Sequence, residues 1–413
     1  MRQFLSVLAS LAIFITTGCH LPAQMVWSPD GSKAVWRVGD KAHLMDDQGK
    51  LVGEVGESGG GFAFSSDSKI LYAVIVGARL PGEKLSTIQE DWCDPTEIKR
   101  SDLGDEPTTS SAEKATYLTA ITADSVQHVV EVPPAFYMTA SPNGAWLALV
   151  APGHPAMQVI VHLIATGQTY LISRTAGLPI AFTGDDRLAY VQLDSNGVTG
   201  QIVELTLSSK DVPPARHPLL AVYAEETTFF QAVGEEALLF TAVDRKLPGP
   251  ILDSGRVETF PKLFQYTRAN SAVAVVAESV GPLFTLSPDG KHILYERITP
   301  ATETSEEKRE LAVMNANGSD PHSLRDLSQY PKLPMWPAWR DAEHFSFVPP
   351  VTPEHPARDV GKRLVYDVML YRITGEGEMD PEPVRVLSKD WPDDMRPYAT
   401  HDLQPVPATA PMD

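Results

Sequence analysis

The chain has 413 residues, 43% of them hydrophobic and 21% charged, with 35 prolines and 28 glycines. That composition supports a sizeable core with many turns and excludes global disorder. With 34 basic against 53 acidic residues the net charge is -19, which repels phosphate backbones and argues against nucleic acid as a partner.

At the N-terminus, Met1-Arg2 precedes an uncharged, mostly apolar run from Phe4 to Thr17. The run is short for a membrane span but suits the core of a signal peptide. It ends in Thr16-Thr17-Gly18-Cys19, which resembles a bacterial lipobox, with Thr16 where leucine is usual. The resemblance implies a signal peptide over residues 1–18, lipid attached to Cys19 and a short tether over 19–24. The protein would then be exported and anchored to a membrane through that lipid, periplasmic or on the outer membrane; His20, following the cysteine, resembles the outer-membrane sorting signal. An ordinary secretory signal cleaved a few residues later is the alternative, and it exports the chain as well. The other cysteine, Cys93, has no neighbouring thiol, so no disulfide framework is expected.

From residue 28 onward a turn phrase recurs: Ser28-Pro29-Asp30-Gly31, Ser141-Pro142-Asn143-Gly144 and Ser287-Pro288-Asp289-Gly290. Worn copies read Ser65-Ser66-Asp67, Thr183-Gly184-Asp185-Asp186, Gly234-Glu235-Glu236 and Trp339-Arg340-Asp341. Proline presets φ at the first corner, Asp or Asn bonds back to the backbone, and Gly takes the left-handed position. A large apolar residue closes a short strand after each turn: Trp36, Tyr72, Leu149, Tyr190, Phe240, Tyr295 and Phe347. A second, more alternating hairpin follows, as in His43–Met45 with Leu51–Val55, Gln158–Leu163 with Gln168–Ile172, or Leu263–Tyr266 with Val273–Val276. Near the end, Val365–Tyr371 reads as one strand. Two hairpins per repeat predict an all-β chain, a β-propeller of about seven four-stranded blades, with six or eight as the alternatives, over residues 25–406. A polar insertion from Arg79 to Ala115 reads as a loop in the second blade, and residues 407–413 as a flexible tail.

Leu311–Ser319, Pro334–Trp339, Phe284–Tyr295 and Val26–Gly31 resemble the WD-like repeats of TolB-type propellers. The resemblance implies an exported propeller whose relatives mainly bind proteins or peptides. TolB-type proteins and propeller-capped prolyl peptidases both carry a further α/β domain, and this chain is expected to have room for neither, so it is not expected to be TolB itself.

Reaction chemistry is sparse. Gly56-Glu57-Ser58-Gly59-Gly60 matches the G-x-S-x-G string, but a nucleophile elbow needs a helix after the serine, and Phe62-Ala63-Phe64 reads as strand. Ser28–Gly31 with Trp36 also resembles a sialidase Asp-box, itself a structural turn. The 11 histidines stand singly, without the pairing that fixes a metal, so neither metal nor cofactor is expected. The long connections Arg79–Ala115, Asp244–Pro261, Ile298–Arg309 and Pro349–Arg363 are all placed between second and third strands, which gathers them on one face. Long loops on a rigid scaffold are where binding resides. The expectation is a non-enzymatic module binding a cell-envelope protein or peptide, with Trp92 and Trp391 as exposed anchors or, alternatively, as covers over a blade edge. The other class is a propeller hydrolase or lyase acting on a sugar or lactone in the central channel.

Overall fold

The computed structural model describes residues 25–400, apart from 39, 80–82, 91, 93–114, 136, 154–156, 195–198, 209–211, 224–228, 244–259, 303–304, 328–334, 350–356, 361–362, 375–378 and 381–382. The expected signal peptide, Cys19, the tether, the tail and most of the insertion lie outside these residues.

The chain is nearly all β. The first unit comprises β1 (Met25–Trp27), β2 (Lys33–Val38), β3 (Lys41–Asp46) and the start of β4 (Leu51–Phe64). Through its second half β4 becomes the first strand of the next unit, with β5 (Leu71–Gly77), β7 (Ala115–Ile121) and β8 (Val126–Glu131), while β6 (Ile88–Gln89) lies in the connection. The third unit is β9 (Tyr137–Ala140), β10 (Trp146–Ala151), β11 (Met157–Leu163) and the start of β12 (Gln168–Phe182). β12 likewise runs on into the fourth, with β13 (Arg187–Leu193), β14 (Thr199–Thr206) and β15 (Ala215–Tyr223). Then follow β16 (Phe229–Val233), β17 (Ala237–Val243), β18 (Pro261–Thr267) and β19 (Ala272–Ala277), and β20 (Val280–Leu286), β21 (His292–Thr299), β22 (Lys308–Asn315) and β23 (His322–Asp326). The last unit has β24 (Ala338–Trp339), β25 (His344–Phe347), β28 (Met369–Arg372) and β29 (Arg385–Val386). A small sheet of β26 (Arg358–Val360), β27 (Arg363–Val365) and β30 (Tyr398–Thr400) is attached to it.

Each unit is an antiparallel sheet in chain order, and consecutive units are linked through their first strands: β1 neighbours β4, β4 neighbours β9, and so on round to β24, which lies beside β1. That cycle is a ring of radial sheets, a β-propeller. The seven marker residues all sit on second strands and all are buried. Burial on both faces is what a short continuous apolar run provides for.

The turn phrase works as its chemistry demands. Ser28 Oγ donates to Asp30 Oδ1 at 2.7 Å and accepts from the Lys33 amide at 3.0 Å, while Gly31 takes φ +67°. Ser141 with Asn143 and Ser287 with Asp289 repeat the pattern at 2.8 and 2.7 Å. In the worn copy Ser65–Asp67 the same bond persists at 2.7 Å, and Ser68 occupies the left-handed position at φ 61°.

Two sequence expectations change. Val365–Tyr371 is not one strand: β27 ends at Val365 and β28 begins at Met369, because the Tyr366 amide bonds Pro397 and the Val368 amide bonds Ser388 Oγ at 2.9 Å. The described start of the insertion is not a free loop either. Ser86 bridges to Val130 beside β8, and β6 pairs in parallel with Thr169–Tyr170 of β12.

Candidate functional site

The four long connections fall between β5 and β7, β17 and β18, β21 and β22, and β25 and β28, in each case the second and third strands of a unit. Alternating antiparallel strands put these connections on one face and the Ser-x-Asp-Gly turns on the other. At the base of the β21–β22 connection the described side chains form a charged set. Glu310 is met by Arg297 at 2.6 Å, Lys308 at 2.7 Å and the Ser323 hydroxyl at 2.7 Å. Burial works against its charge, but those donors prevail and hold the carboxyl at about 2. Its neighbour Glu296 is more deeply buried, and desolvation raises its pKa despite the contact with Arg309.

The strands nearest the axis are apolar. Tyr137 of β9 meets Phe229 of β16 edge-on at 6.4 Å, and Phe229 meets Phe284 of β20 at 5.4 Å. Arg174, placed where β12 crosses between units, pairs with Glu90 at 2.7 Å, and β4 carries Glu54 and Glu57 ahead of its own crossing. No group of three or more His, Cys, Asp or Glu side chains that could hold a metal ion occurs among the described residues. Ser58 sits within β4, 7% exposed, accepting a hydrogen bond from the Gly60 amide at 3.0 Å. No helix follows it, and Gly60 is fixed at φ +91° with the Ala135 carbonyl 1.9 Å from where a Cβ would stand. The Gly56–Gly60 string is therefore a strand-to-strand crossing. A small recess of about 240 Å³ lies against the first unit, lined by His43, Leu51, Val52, Gly53, Glu54 and Met395.

Neither tryptophan expected as an exposed anchor is exposed. Trp92 is 2% accessible and stacks on Tyr170 with ring centres 3.7 Å apart. Trp391 is 4% accessible, packs on Trp36 at 5.5 Å and donates its indole N–H to the Gly49 carbonyl at 2.7 Å. An indole buried this far cannot reach a partner without the segment that carries it moving away, so the covering role describes both. Each is held by an arginine that the sequence did not single out. Arg216 donates to the Trp92 and Ile172 carbonyls, both at 2.9 Å, and to Tyr190 Oη at 2.6 Å. Arg396 donates through Nη2 to the Trp391 carbonyl at 3.0 Å and pairs with Asp367. An arginine on a polar stretch reads alike whether solvated or buried, so no pattern marked them.

His162 is the clearest perturbed base. Burial on β11 lowers its pKa to about 4, and its Nδ1 lies 2.9 Å from the Thr169 hydroxyl. No described helix is long and apolar enough to cross a membrane.

No protein-family model matches the chain, and no curated protein matches it. Among solved structures, an oligogalacturonate lyase in complex with manganese aligns with a TM-score of 0.50 and 12% identity, over 79% of this chain and 85% of its own. The oligogalacturonate lyase of Vibrio parahaemolyticus gives 0.47 and 11% over 91% and 88%. TolB from Acinetobacter baumannii gives 0.44 and 13% over 86% and 80%. At such identities the likeness is one of fold, and the fold is the β-propeller that the ring of sheets describes.

Proposed function

We propose that this protein is an exported, TolB-like propeller of seven blades, tethered by lipid on Cys19, that serves as a non-enzymatic binding module for a protein or peptide of the cell envelope. The observation that carries the binding role is the division of labour between the two faces. Connections from the β5–β7, β17–β18, β21–β22 and β25–β28 positions all lie on one side, while the other carries the Ser-x-Asp-Gly turns and longer connections at β14–β15 and β28–β29. Long connections on a rigid scaffold are where binding resides, and the axial strands β9, β16 and β20 bring aromatic side chains together. The proposed seven blades follow from the cyclic order of first strands β1, β4, β9, β12, β16, β20 and β24. The test is cross-linked affinity capture from detergent-solubilised envelope with the full chain and with two of the long connections shortened. Capture should fall sharply on shortening, with cross-links mapping to those connections. Undiminished capture, or turnover of oligogalacturonate by the purified chain, would overturn the reading.

A further inference from the structure

The described start of the insertion behaves as a bound peptide. Residues 84–90 leave the second unit, cross the rim and lie along the outer edge of the third, where β6 adds a parallel fifth strand to β12, and Trp92 is seated beyond them. Ile88, Glu90 and Trp92 stand two residues apart in the sequence. Each meets a matching feature. Ile88 packs against the apolar cluster of the second and third units, Glu90 pairs with Arg174 at 2.7 Å, and Trp92 stacks on Tyr170 beside Trp146. Arg216, from the outermost strand of the fourth unit, clamps the Trp92 carbonyl at 2.9 Å.

The scaffold beneath is complete without this strap, since the second and third units each have their own four strands. The strap's described backbone pairing is two ladder pairs and one bridge, and the Glu90 side chain is 59% exposed. Elements with so few backbone bonds open at a free energy below that of the whole domain. Lifting it would uncover Thr169, Tyr170, Leu171 and Ile172, all buried at present, together with an aromatic slot and two arginines. A strand edge with a side-chain pocket is the construction by which proteins take up extended peptides.

We propose that this rim groove is a peptide-docking site which the strap occupies in cis. The partner it fits is an extended segment of another protein carrying an apolar residue, an acidic residue two positions on and a tryptophan two further. The site lies on the rim and does not rest on binding by the long-loop face.

A fluorescein-labelled peptide of residues 84–92 is titrated against the full chain and its Trp92→Ala variant, following anisotropy. In cis the strap competes at an effective concentration on the order of millimolar. The variant is therefore expected to bind the peptide at least about tenfold more tightly than the parent does, and Arg216→Ala or a peptide with alanine for tryptophan should abolish the gain. No saturable binding to a folded variant would overturn the proposal. So would a dimer formed by exchange of straps, which places the occupant in this chain and not in a partner. Should Trp92→Ala fail to fold, hydrogen exchange on the parent decides. The strap-facing amides of Thr169–Ile172 should exchange through a local opening, faster than those pairing β10 with β11, and exchange of both together would overturn the idea.

Discussion

Two seams of the ring are sealed by the same device and differ in what stands behind it. Between the third and fourth units, Trp92 fills the gap and Arg216 holds its carbonyl. Between the last and first, Trp391 fills the gap and Arg396 holds its carbonyl. At the first seam the backbone is continuous, because β12 belongs to both sheets. At the second, no described strand passes from one sheet to the other. Closure rests on side-chain hydrogen bonds: Trp27 Nε1 to the Ser346 hydroxyl at 3.1 Å, Trp36 to the Met395 carbonyl at 2.9 Å, and Arg385 to the Asp47 carbonyl at 2.9 Å. The same plug is an accessory in one place and the clasp of the ring in the other.

The largest expected effect comes from removing the clasp. Trp391→Ala deletes a buried indole, its stack on Trp36 and its bond to Gly49, a loss of about 3–5 kcal/mol. Because the first and last units share one apolar cluster, denaturant unfolding should shift as a whole, with lower midpoint. An unchanged midpoint would mean that the ring does not depend on this seam.

Acid should distinguish the seams next. His162, beside Thr169 under the strap, is held neutral with a folded pKa of about 4 against 6.5. The unfolded chain therefore binds more protons between those values, and stability present above pH 6.5 is lost as pH falls through 4. The loss is about 3 kcal/mol. Thermal melting across that window should fall less in His162→Gln than in the parent, while hydrogen exchange should show the third unit loosening before the Trp391 seam.

A third change probes the clasp through the backbone alone. Gly49 sits at φ +83°, and a Cβ there would lie 2.1 Å from the Leu387 carbonyl oxygen. Gly49→Ala must push the Arg385–Trp391 segment outward as well as adopt a left-handed backbone, so a loss of about 2 kcal/mol is expected in chemical denaturation. Gly167, at φ +72° with nothing within 4 Å of its Cβ position, is the matched control that carries the backbone cost only.

What the sequence revealed of these seams follows from how local each interaction is. The turn phrase was legible because its hydrogen bonds are closed within six residues, from Ser28 to Lys33, and so were the second strands that contain Trp36 or Tyr295. The position of the long connections was legible for the same reason, being counted from those turns. Trp92 and Trp391 were not. Each is flanked by Asp and lies in a polar stretch, and its burial depends on residues far away, Tyr170 in one case and Trp36 and Gly49 in the other. β6 is two residues long and pairs with a strand some eighty positions on, so no periodicity could announce it. Arg216 and Arg396 likewise act on carbonyls whose approach only the closed ring creates.

The smallest expected effect is the sharpest test of the contrast. Trp92 is as buried as Trp391, so side-chain size alone would assign both substitutions the same cost. The strap offers an escape that the clasp lacks. Once Trp92 is gone, the protein can let residues 84–92 undock and still keep β12 continuous through both sheets. The cost of Trp92→Ala is then capped at the docking free energy of the strap, about 1.5 kcal/mol for a tenfold competition in cis, because the undocked state sets an upper limit on how unstable the mutant can become. Global unfolding of this variant should shift little, whereas the strap-facing amides of Thr169–Ile172 should lose their protection. A midpoint loss equal to that of Trp391→Ala would show that the strap has no independent opening, and that both tryptophans belong to a single cooperative core.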